Sequence, residues 1–245
     1  MSALDHFSAS HFDWQCVAGI GTIRLNRPER KNPLTFESYA ELKNLFHYVA
    51  QQDTIKTIVI LPNGGNFCSG GDVHDIIGPL LDKDTKGLFQ FTRLTGDLVK
   101  SMLTCGKPII AAVDGVAVGA GAILAMASDL RIVTPQAKTA FLFTRVGLGG
   151  CDMGACALLP RIIGQSRAAD LLYTGRSMSA EEGERWGFYN RIVEPNELEA
   201  TANKMACQIA RGQSFGHKMT KTQRNHERNM APEQAIEAEA QAQAL

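Results

Sequence analysis

Two short apolar runs, TIVIL at 57–61 and IIAAV at 109–113, are each followed closely by glycine-rich sequence. Uninterrupted apolar runs of this length are typical of parallel strands that are buried on both faces. The glycines allow the chain to turn sharply where it leaves each strand. Strands of this kind alternate with helical patterns along the chain, which predicts α/β layers joined by right-handed crossovers.

Further elements are predicted from hydrophobic periodicity and from capping residues. Thr35 is predicted to cap a helix that presents one apolar face. Two capping boxes are predicted, at Ser179 with Glu182 and at Asn196 with Glu199. The other predicted strands cover 17–25, 130–133 and 188–193, and the other predicted helices cover 89–102 and 119–128.

Composition restricts the class of protein. The 245 residues are 44% hydrophobic, which is enough for a substantial core in one large domain or two small ones. Lys and Arg together number 25, as do Asp and Glu, so the formal net charge is zero and favours neither a nucleic-acid partner nor an acidic membrane. The six cysteines form no CxxC pair, so we expect reduced thiols and no metal site.

The N-terminal sequence MSALDHFSASHFDW has no basic segment followed by an apolar run, and it is acidic rather than arginine-rich. It therefore predicts neither a signal peptide nor a transit peptide. No apolar run approaches the roughly 18 residues of a membrane-spanning helix. We expect a cytoplasmic protein without a membrane partner.

The glycine-rich segments NGGNFCSGGD at 63–72 and DGVAVGAGAI at 114–123 allow two interpretations. Backbone N–H groups in such turns can face a ligand, and two of them aimed at one oxygen form an oxyanion hole. Tight turns and close helix–sheet packing explain the same glycines and are, from spacing alone, the commoner cause. Neither segment matches G-x-G-x-x-G cleanly, which disfavours a dinucleotide-binding oxidoreductase.

Five motifs along the chain carry a resemblance to a known family. They are NRPERKNPL at 26–34, GGNFCSGGD at 64–72, AAVDGVAVGAGAILAMASDLRI at 111–132, GLGGCDMG with LPRIIG at 147–164, and TGRSMSAEEGERWGFYNRIV at 174–193. In this order and spacing they resemble the crotonase superfamily, the enoyl-CoA hydratase/isomerase family. The resemblance covers nearly the whole chain, and several motifs in register are more specific than one glycine turn.

The resemblance implies an α/β fold, a crotonase-like spiral of ββα repeats, in residues 1–195. Residues 196–245 would form a C-terminal helical region used in trimerisation, so a homotrimer or a dimer of trimers is expected. Members of the family bind acyl-CoA thioesters, with CoA as part of the substrate and no separate cofactor. They usually continue into a further C-terminal helix, so this region is either truncated here or lacks that helix.

The resemblance also implies two backbone N–H groups that polarise the thioester carbonyl and stabilise an enolate. The first donor is Gly71, after the glycine of F-x-x-G, and the second is Ala120, in the V-x-G-x-G turn. A structural role is the alternative for Asp72, and solvated loop charge is the alternative for Arg30 and Lys31. The contacts implied for CoA and the thioester are Arg30, Lys31, Asn32, Ser69, Gly70, Asp72 and Gly119.

Familiar hydratases of the family carry two glutamates, but this chain has Ile123 and Phe143 at those positions. These residues and Phe91 are expected to line the acyl pocket, although core packing explains Phe91 equally well. Asp152 is the remaining candidate, and the resemblance implies that it faces the acyl chain as a single acid/base. The alternative is an N-cap, because an aspartate before a helix of small residues commonly accepts the first free N–H groups.

A single acid can remove a proton from one carbon and return it to another. Isomerisation of an unsaturated acyl-CoA is therefore favoured over hydration. The alternative is a non-catalytic crotonase-like binding module, for example one that binds RNA, because both usual glutamates are absent. RNA binding predicts a basic surface patch, which the zero net charge does not favour.

Overall fold

The computed structural model describes residues 7–244, and this part of the chain forms nine strands and ten α-helices. The strands are β1 (Asp13–Val17), β2 (Ile20–Leu25), β3 (Thr57–Pro62), β4 (Ile109–Val113), β5 (Val116–Val118), β6 (Leu130–Val133), β7 (Lys138–Ala140), β8 (Ser177–Ser179) and β9 (Arg191–Ile192). The helices are α1 (Phe36–Ala50), α2 (Gly78–Leu81), α3 (Thr85–Thr104), α4 (Ala120–Ala127), α5 (Ala155–Ile163), α6 (Gln165–Thr174), α7 (Ala180–Arg185), α8 (Leu198–Ala210), α9 (Ser214–His226) and α10 (Pro232–Gln243).

The strands form two sheets. Six of them lie in the order β1-β2-β3-β4-β6-β9, and three lie in the order β5-β7-β8. Neighbours pair in parallel except β1 with β2 and β7 with β8, which are antiparallel. Parallel neighbours require long crossover connections, and α1 and α3 provide them between β2, β3 and β4.

Strands β3 and β4 are buried on both faces, which explains their uninterrupted apolar sequences. In β3, Ile58 and Ile60 join the larger core, which α1, α3 and α4 also line. Val59 and Leu61 point the opposite way and pack against α8. The strands predicted at 57–61 and 109–113 and the helices predicted at 89–102 and 119–128 are confirmed.

The chain passes from one sheet to the other at tight corners, which creates the spiral. Strand β4 turns at Asp114 and Gly115 and continues as β5 in the second sheet, after which α4 begins. Gly115 has a φ of +52°, and a Cβ there would lie 2.1 Å from the carbonyl oxygen of Gly65. The corner therefore requires glycine. The predicted crotonase-like spiral of ββα repeats is confirmed.

Two predicted strands need correction. Segment 17–25 is not one strand, because Ala18 and Gly19 adopt φ angles of +51° and +81° and turn β1 back into β2 as an antiparallel hairpin. The strand predicted at 188–193 is limited to Arg191–Ile192, where it pairs with β6.

The capping predictions have mixed outcomes. Thr35 caps α1, and the Ser179 hydroxyl accepts the Glu182 N–H at 3.1 Å at the start of α7. The Glu182 carboxylate, however, binds an arginine instead of returning to Ser179. The box predicted at Asn196 and Glu199 is wrong, since α8 begins without a side-chain cap and Glu199 pairs with an arginine of β2.

Helix α8 belongs to the core, although it lies beyond residue 195. Leu198, Ala202 and Ala206 are buried against the six-stranded sheet, while α9 contacts α3 and α10 contacts α9. The division at residue 195 and trimerisation stay predictions. Among residues 7–244, no helix is long and apolar enough to cross a membrane.

Gly115 and Gly96 allow a matched pair of substitutions. Gly115→Ala should destabilise the fold by more than about 1–2 kcal/mol, the usual cost of a left-handed non-glycine residue, because the new Cβ also meets Gly65. Gly96→Ala, inside α3 with no atom within 4 Å of the new Cβ, should stabilise by about 0.5–1 kcal/mol. Urea denaturation measures both changes, and equal free energies of unfolding would contradict the tight corner.

Candidate active site

The two N–H groups expected to act as donors are free of protein acceptors. Neither Gly71 N–H nor Ala120 N–H donates a hydrogen bond to any group in the described part of the chain. Each follows a glycine with positive φ, +95° at Gly70 and +53° at Gly119. Such conformations favour glycine, and they set the direction of the N–H group that follows.

The two turns lie against each other. Cys68 pairs with Ala117 in a parallel bridge, in which Val118 N–H donates to the Cys68 carbonyl at 3.0 Å. A Cβ on Gly70 would lie only 3.6 Å from the nitrogen of Ala120. The buried helix α4 begins at Ala120, so its positive end adds to the donors. Together these groups can stabilise negative charge on one oxygen.

Asp152 precedes α5 but does not cap it. The two residues after it, Met153 and Gly154, have φ angles of +47° and +83°, and Ala155 N–H donates to the Asp152 carbonyl at 2.9 Å. Gly154 occupies the N-cap position, and no side chain caps the helix. The capping alternative for Asp152 therefore fails.

The electrostatics of Asp152 differ from those of a cap. Its side chain is half-buried, and burial raises the pKa of the carboxyl group, opposed in part by the N–H of Met153. Burial disfavours the charged form of an acid. A carboxyl group with a raised pKa is suited to exchanging protons near neutral pH.

Tyr39 of α1 lies beside the first donor, Gly71, and its electrostatics respond to Asp152. Its hydroxyl oxygen lies 3.7 Å from the position of a Cβ on Gly71. Burial, followed by the charges of Cys68 and Asp152, raises the pKa of Tyr39 well above its usual value. The side chain is 2% exposed. Sequence reasoning placed Tyr39 only on the apolar face of α1, so this hydroxyl was missed.

The predicted acyl-pocket residues belong to the same hydrophobic core as Tyr39 or pack against it. Phe91 is half-buried and packs edge-on against Tyr39, with ring centroids 6.1 Å apart. Ile123 is fully buried one turn into α4, and Phe143 is buried in the short helix after β7. The positions that carry glutamates in familiar hydratases are thus apolar and enclosed here. That these three residues line an acyl chain stays a prediction.

The Asn32 side chain is held by protein groups, and its contact with CoA stays a prediction. It is 1% exposed, and its amide nitrogen donates to the carbonyls of Asn63 and Asn66 at 2.9 and 2.8 Å. Its amide oxygen accepts the N–H of Arg27 at 2.8 Å. The side chain is occupied by protein groups and fixes the loop between β2 and α1.

Asp72 was predicted to contact CoA or the thioester, with a structural role as the alternative, and its protein partners support the structural role. Its side chain is fully excluded from solvent, lies 2.9 Å from Arg30 and 3.2 Å from Arg27, and accepts the N–H groups of His74 and Asp75. Although burial raises the pKa of Asp72, the N–H groups of Asp75 and His74 and the two arginines together lower it. These contacts hold Asp72 in place, and Asp72 directly follows the donor Gly71.

The remaining predicted contacts lie beside Asp72. Arg30 and Lys31 are exposed, and Ser69 is half-buried with its hydroxyl donating to the Arg30 carbonyl at 3.3 Å. Gly70 and Gly119 contribute through backbone conformation. Contacts of these residues with CoA stay predictions. No group of three His, Cys, Asp or Glu residues within 7–244 is arranged to hold a metal ion.

Comparisons with known proteins identify the family of this chain. The family described as Enoyl-CoA hydratase/isomerase matches residues 15–244. The 1,2-epoxyphenylacetyl-CoA isomerase of Escherichia coli is 36% identical, over 81% of this chain and 75% of its own. The trans-2-decenoyl-[acyl-carrier-protein] isomerase of Streptococcus mutans is 29% identical, over 83% of this chain and 77% of its own.

A solved structure agrees over the full described length. It is a Streptomyces coelicolor A3(2) protein provisionally named an enoyl-CoA hydratase, with a TM-score of 0.95 and 40% identity, covering 100% of this chain and 89% of its own. The chain belongs to the enoyl-CoA hydratase/isomerase family and is an enzyme of the crotonase superfamily.

Substitutions of Asp152 and Asp72 should change the stability of the fold in opposite directions. Asp152→Asn should raise the unfolding temperature at pH 7, because the raised pKa of Asp152 means that its charged form destabilises the folded state. Asp72→Asn should cost roughly 1.5–3 kcal/mol at pH 7, the usual loss for a hydrogen bond to a charged group.

The pH dependence distinguishes these effects from general damage. The contribution of Asp72 is present above its usual pKa of 3.8 and should disappear as the pH falls below that value. The penalty at Asp152 should likewise vanish in acid, where the group is protonated in both states. Thermal unfolding of both variants and the unmodified protein from pH 7 to pH 3 measures this, and offsets independent of pH would contradict it.

Proposed function

We propose that this enzyme isomerises the double bond of an unsaturated acyl-CoA thioester through an enolate, with Asp152 as the single acid/base. The observation that carries this proposal is the place of Asp152. It is a half-buried carboxyl group whose pKa is raised by burial, and its charge raises the pKa of Tyr39. The Tyr39 hydroxyl lies beside Gly71, which together with Ala120 presents a free N–H group.

The proposed mechanism needs no second acid. The N–H groups of Gly71 and Ala120 bind the thioester oxygen, and the bond strengthens as negative charge develops there. Asp152 removes a proton from a carbon next to the double bond, the electron pair moves toward the thioester oxygen, and the double bond shifts. The protonated Asp152 then returns the proton to the other end of the system, so the product is an isomer of the substrate.

Buried apolar residues support isomerisation over hydration. Hydration requires a group that positions water in addition to one that moves a proton at carbon. Ile123 and Phe143 are buried hydrocarbons at the positions where familiar hydratases carry their glutamates. Two of the relatives described above are named isomerases of acyl thioesters, which favours the same reaction class here.

The assembly and location stay predictions. We expect a homotrimer or a dimer of trimers in the cytoplasm, with CoA supplied by the substrate and no nucleic-acid partner. Val146, Leu148 and Tyr173 are apolar side chains that are 62%, 50% and 82% exposed in one chain. A neighbouring subunit that covers such side chains would remove unfavourable apolar surface from water.

The reaction is tested by incubating 3-hexenoyl-CoA and crotonyl-CoA separately with the protein in D2O. Mass spectrometry and NMR should show migration of the 3-hexenoyl double bond to the 2-position, with deuterium that Asp152 takes up from solvent delivered to the γ-carbon. Asp152→Asn should reduce both by about 10²–10⁴-fold, the usual contribution of a general acid/base. Asp53→Asn, an exposed aspartate between α1 and β3, is the matched control and should retain activity.

Other outcomes assign other functions. A water adduct of crotonyl-CoA that is lost in Asp152→Asn would make the protein a hydratase with an unusual acid. Turnover that survives Asp152→Asn would exclude Asp152 as the acid/base. If neither substrate is converted, two alternatives follow: a more specialised acyl group or a non-catalytic RNA-binding module. Retention on immobilised CoA would support the first alternative, and lack of retention would support the second.

A further inference from the structure

A cavity of about 190 Å³ lies at the C-terminal end of α4, away from the donors. Helix α4 has eight residues, so at 1.5 Å per residue about 12 Å separate its two ends. The floor of the cavity is apolar, and its polar lining consists of Ser128, Asp129, Arg131, Arg161, Arg224 and Arg228. Four guanidinium groups therefore surround one carboxylate, in a chain whose formal net charge is zero.

Arg131 is a buried cation without a paired acid. It is 6% exposed, and its Nε and Nη1 donate to backbone carbonyls, those of Phe188, Ala125, Met126 and Ser128. It forms no ion pair within the residues described. Burial lowers the pKa of Arg131 to about 10. A buried charge is normally paired, so a counter-ion at this position is expected.

Asp129 does not balance the arginines, because it is already shared. Its Oδ2 accepts Lys221 Nζ at 2.8 Å and the N–H of Ile109 at 2.9 Å. Its Oδ1 lies 3.5 Å from Nη1 of Arg224, whose side chain is 57% exposed. The Asp129 carboxylate thus already faces Lys221 and Arg224, and it cannot also neutralise the other guanidinium groups of the cavity.

Within residues 7–244, the remaining two arginines, Arg161 and Arg228, form no ion pair with an acid. Arg161 donates to the Ala157 carbonyl and, at 2.9 Å, to Oδ1 of Asn229, both of which are uncharged. Burial, and after it the charges of Arg224 and Arg161, lower the pKa of Arg228. The guanidinium groups therefore repel one another across the cavity, and an anion between them would relieve this repulsion.

We propose that this cavity binds a phosphate-sized oxyanion, held by the guanidinium groups of Arg131, Arg224 and Arg228. A guanidinium group presents parallel N–H donors whose spacing matches the oxygens of phosphate. The volume is about that of six waters at roughly 30 Å³ each, so one phosphate and a few waters fit. The site is independent of the reaction proposed for Asp152.

The test is a titration of inorganic phosphate into the full-length protein at constant ionic strength, with chloride replaced stepwise. Isothermal titration calorimetry should show saturable binding at one site per chain. Arg228→Gln removes one charged donor without breaking an ion pair and should weaken binding at least about tenfold. Arg211→Gln, at an exposed arginine after α8 with no ion pair among the described residues, is the matched control and should bind phosphate as the unmodified protein does.

Several results would overturn the proposal. These are the absence of saturable binding, equal affinity in Arg228→Gln, and an equal loss of affinity in Arg211→Gln, which would show that phosphate responds to overall charge and not to the cavity. A neighbouring subunit's carboxylate in the cavity would also overturn it. In that case phosphate would not bind, and Arg228→Gln would change the mass of the assembly measured by light scattering.

Discussion

The structure depends on the close approach of two backbone turns, at Gly70 and at Gly119. Strand pairing brings them together, because Cys68 and Ala117 bridge the end of one turn of the spiral to the next. Gly121 completes the approach, since a Cβ there would lie 2.3 Å from the carbonyl oxygen of Cys68. The same packing that closes the core leaves two N–H groups without acceptors, so fold and site have one origin.

Much of the fold is predictable because burial on both faces leaves a strong mark on sequence. The runs at 57–61 and 109–113 could hardly be anything except central strands. The hairpin turn at Ala18 and Gly19 was missed because the apolar pattern continues through it. Ala18 is also not a residue type that signals a turn with positive φ. Glu199 was misassigned because an ion pair with a distant strand leaves no trace in local sequence.

The site was predictable where backbone geometry defines it and less so where side chains do. Gly71 and Ala120 were named through the family resemblance, and their role as donors stays a prediction. The turn at Asp152 leaves its carboxylate outside the N-cap position of the helix. The structural contacts of Asn32 and Asp72 could not be predicted from sequence, because the polar residues that hold a loop together are the same types that bind ligands. Burial alone separates the two roles, and burial depends on contacts made by distant segments.

The two N–H donors determine which positions of the site tolerate substitution. Gly71 and Ala120 contribute main-chain atoms, and a Cβ at Gly71 would make only ordinary contacts, the nearest at 3.6 Å. The glycines before them hold left-handed conformations that other residues rarely adopt. Substitutions at 71 and 120 should therefore be tolerated, whereas those at 70 and 119 should not. The acids around the two N–H donors can therefore be exchanged while the donors themselves stay in place. A chain with apolar residues at the usual glutamate positions can still present both donors to a thioester oxygen.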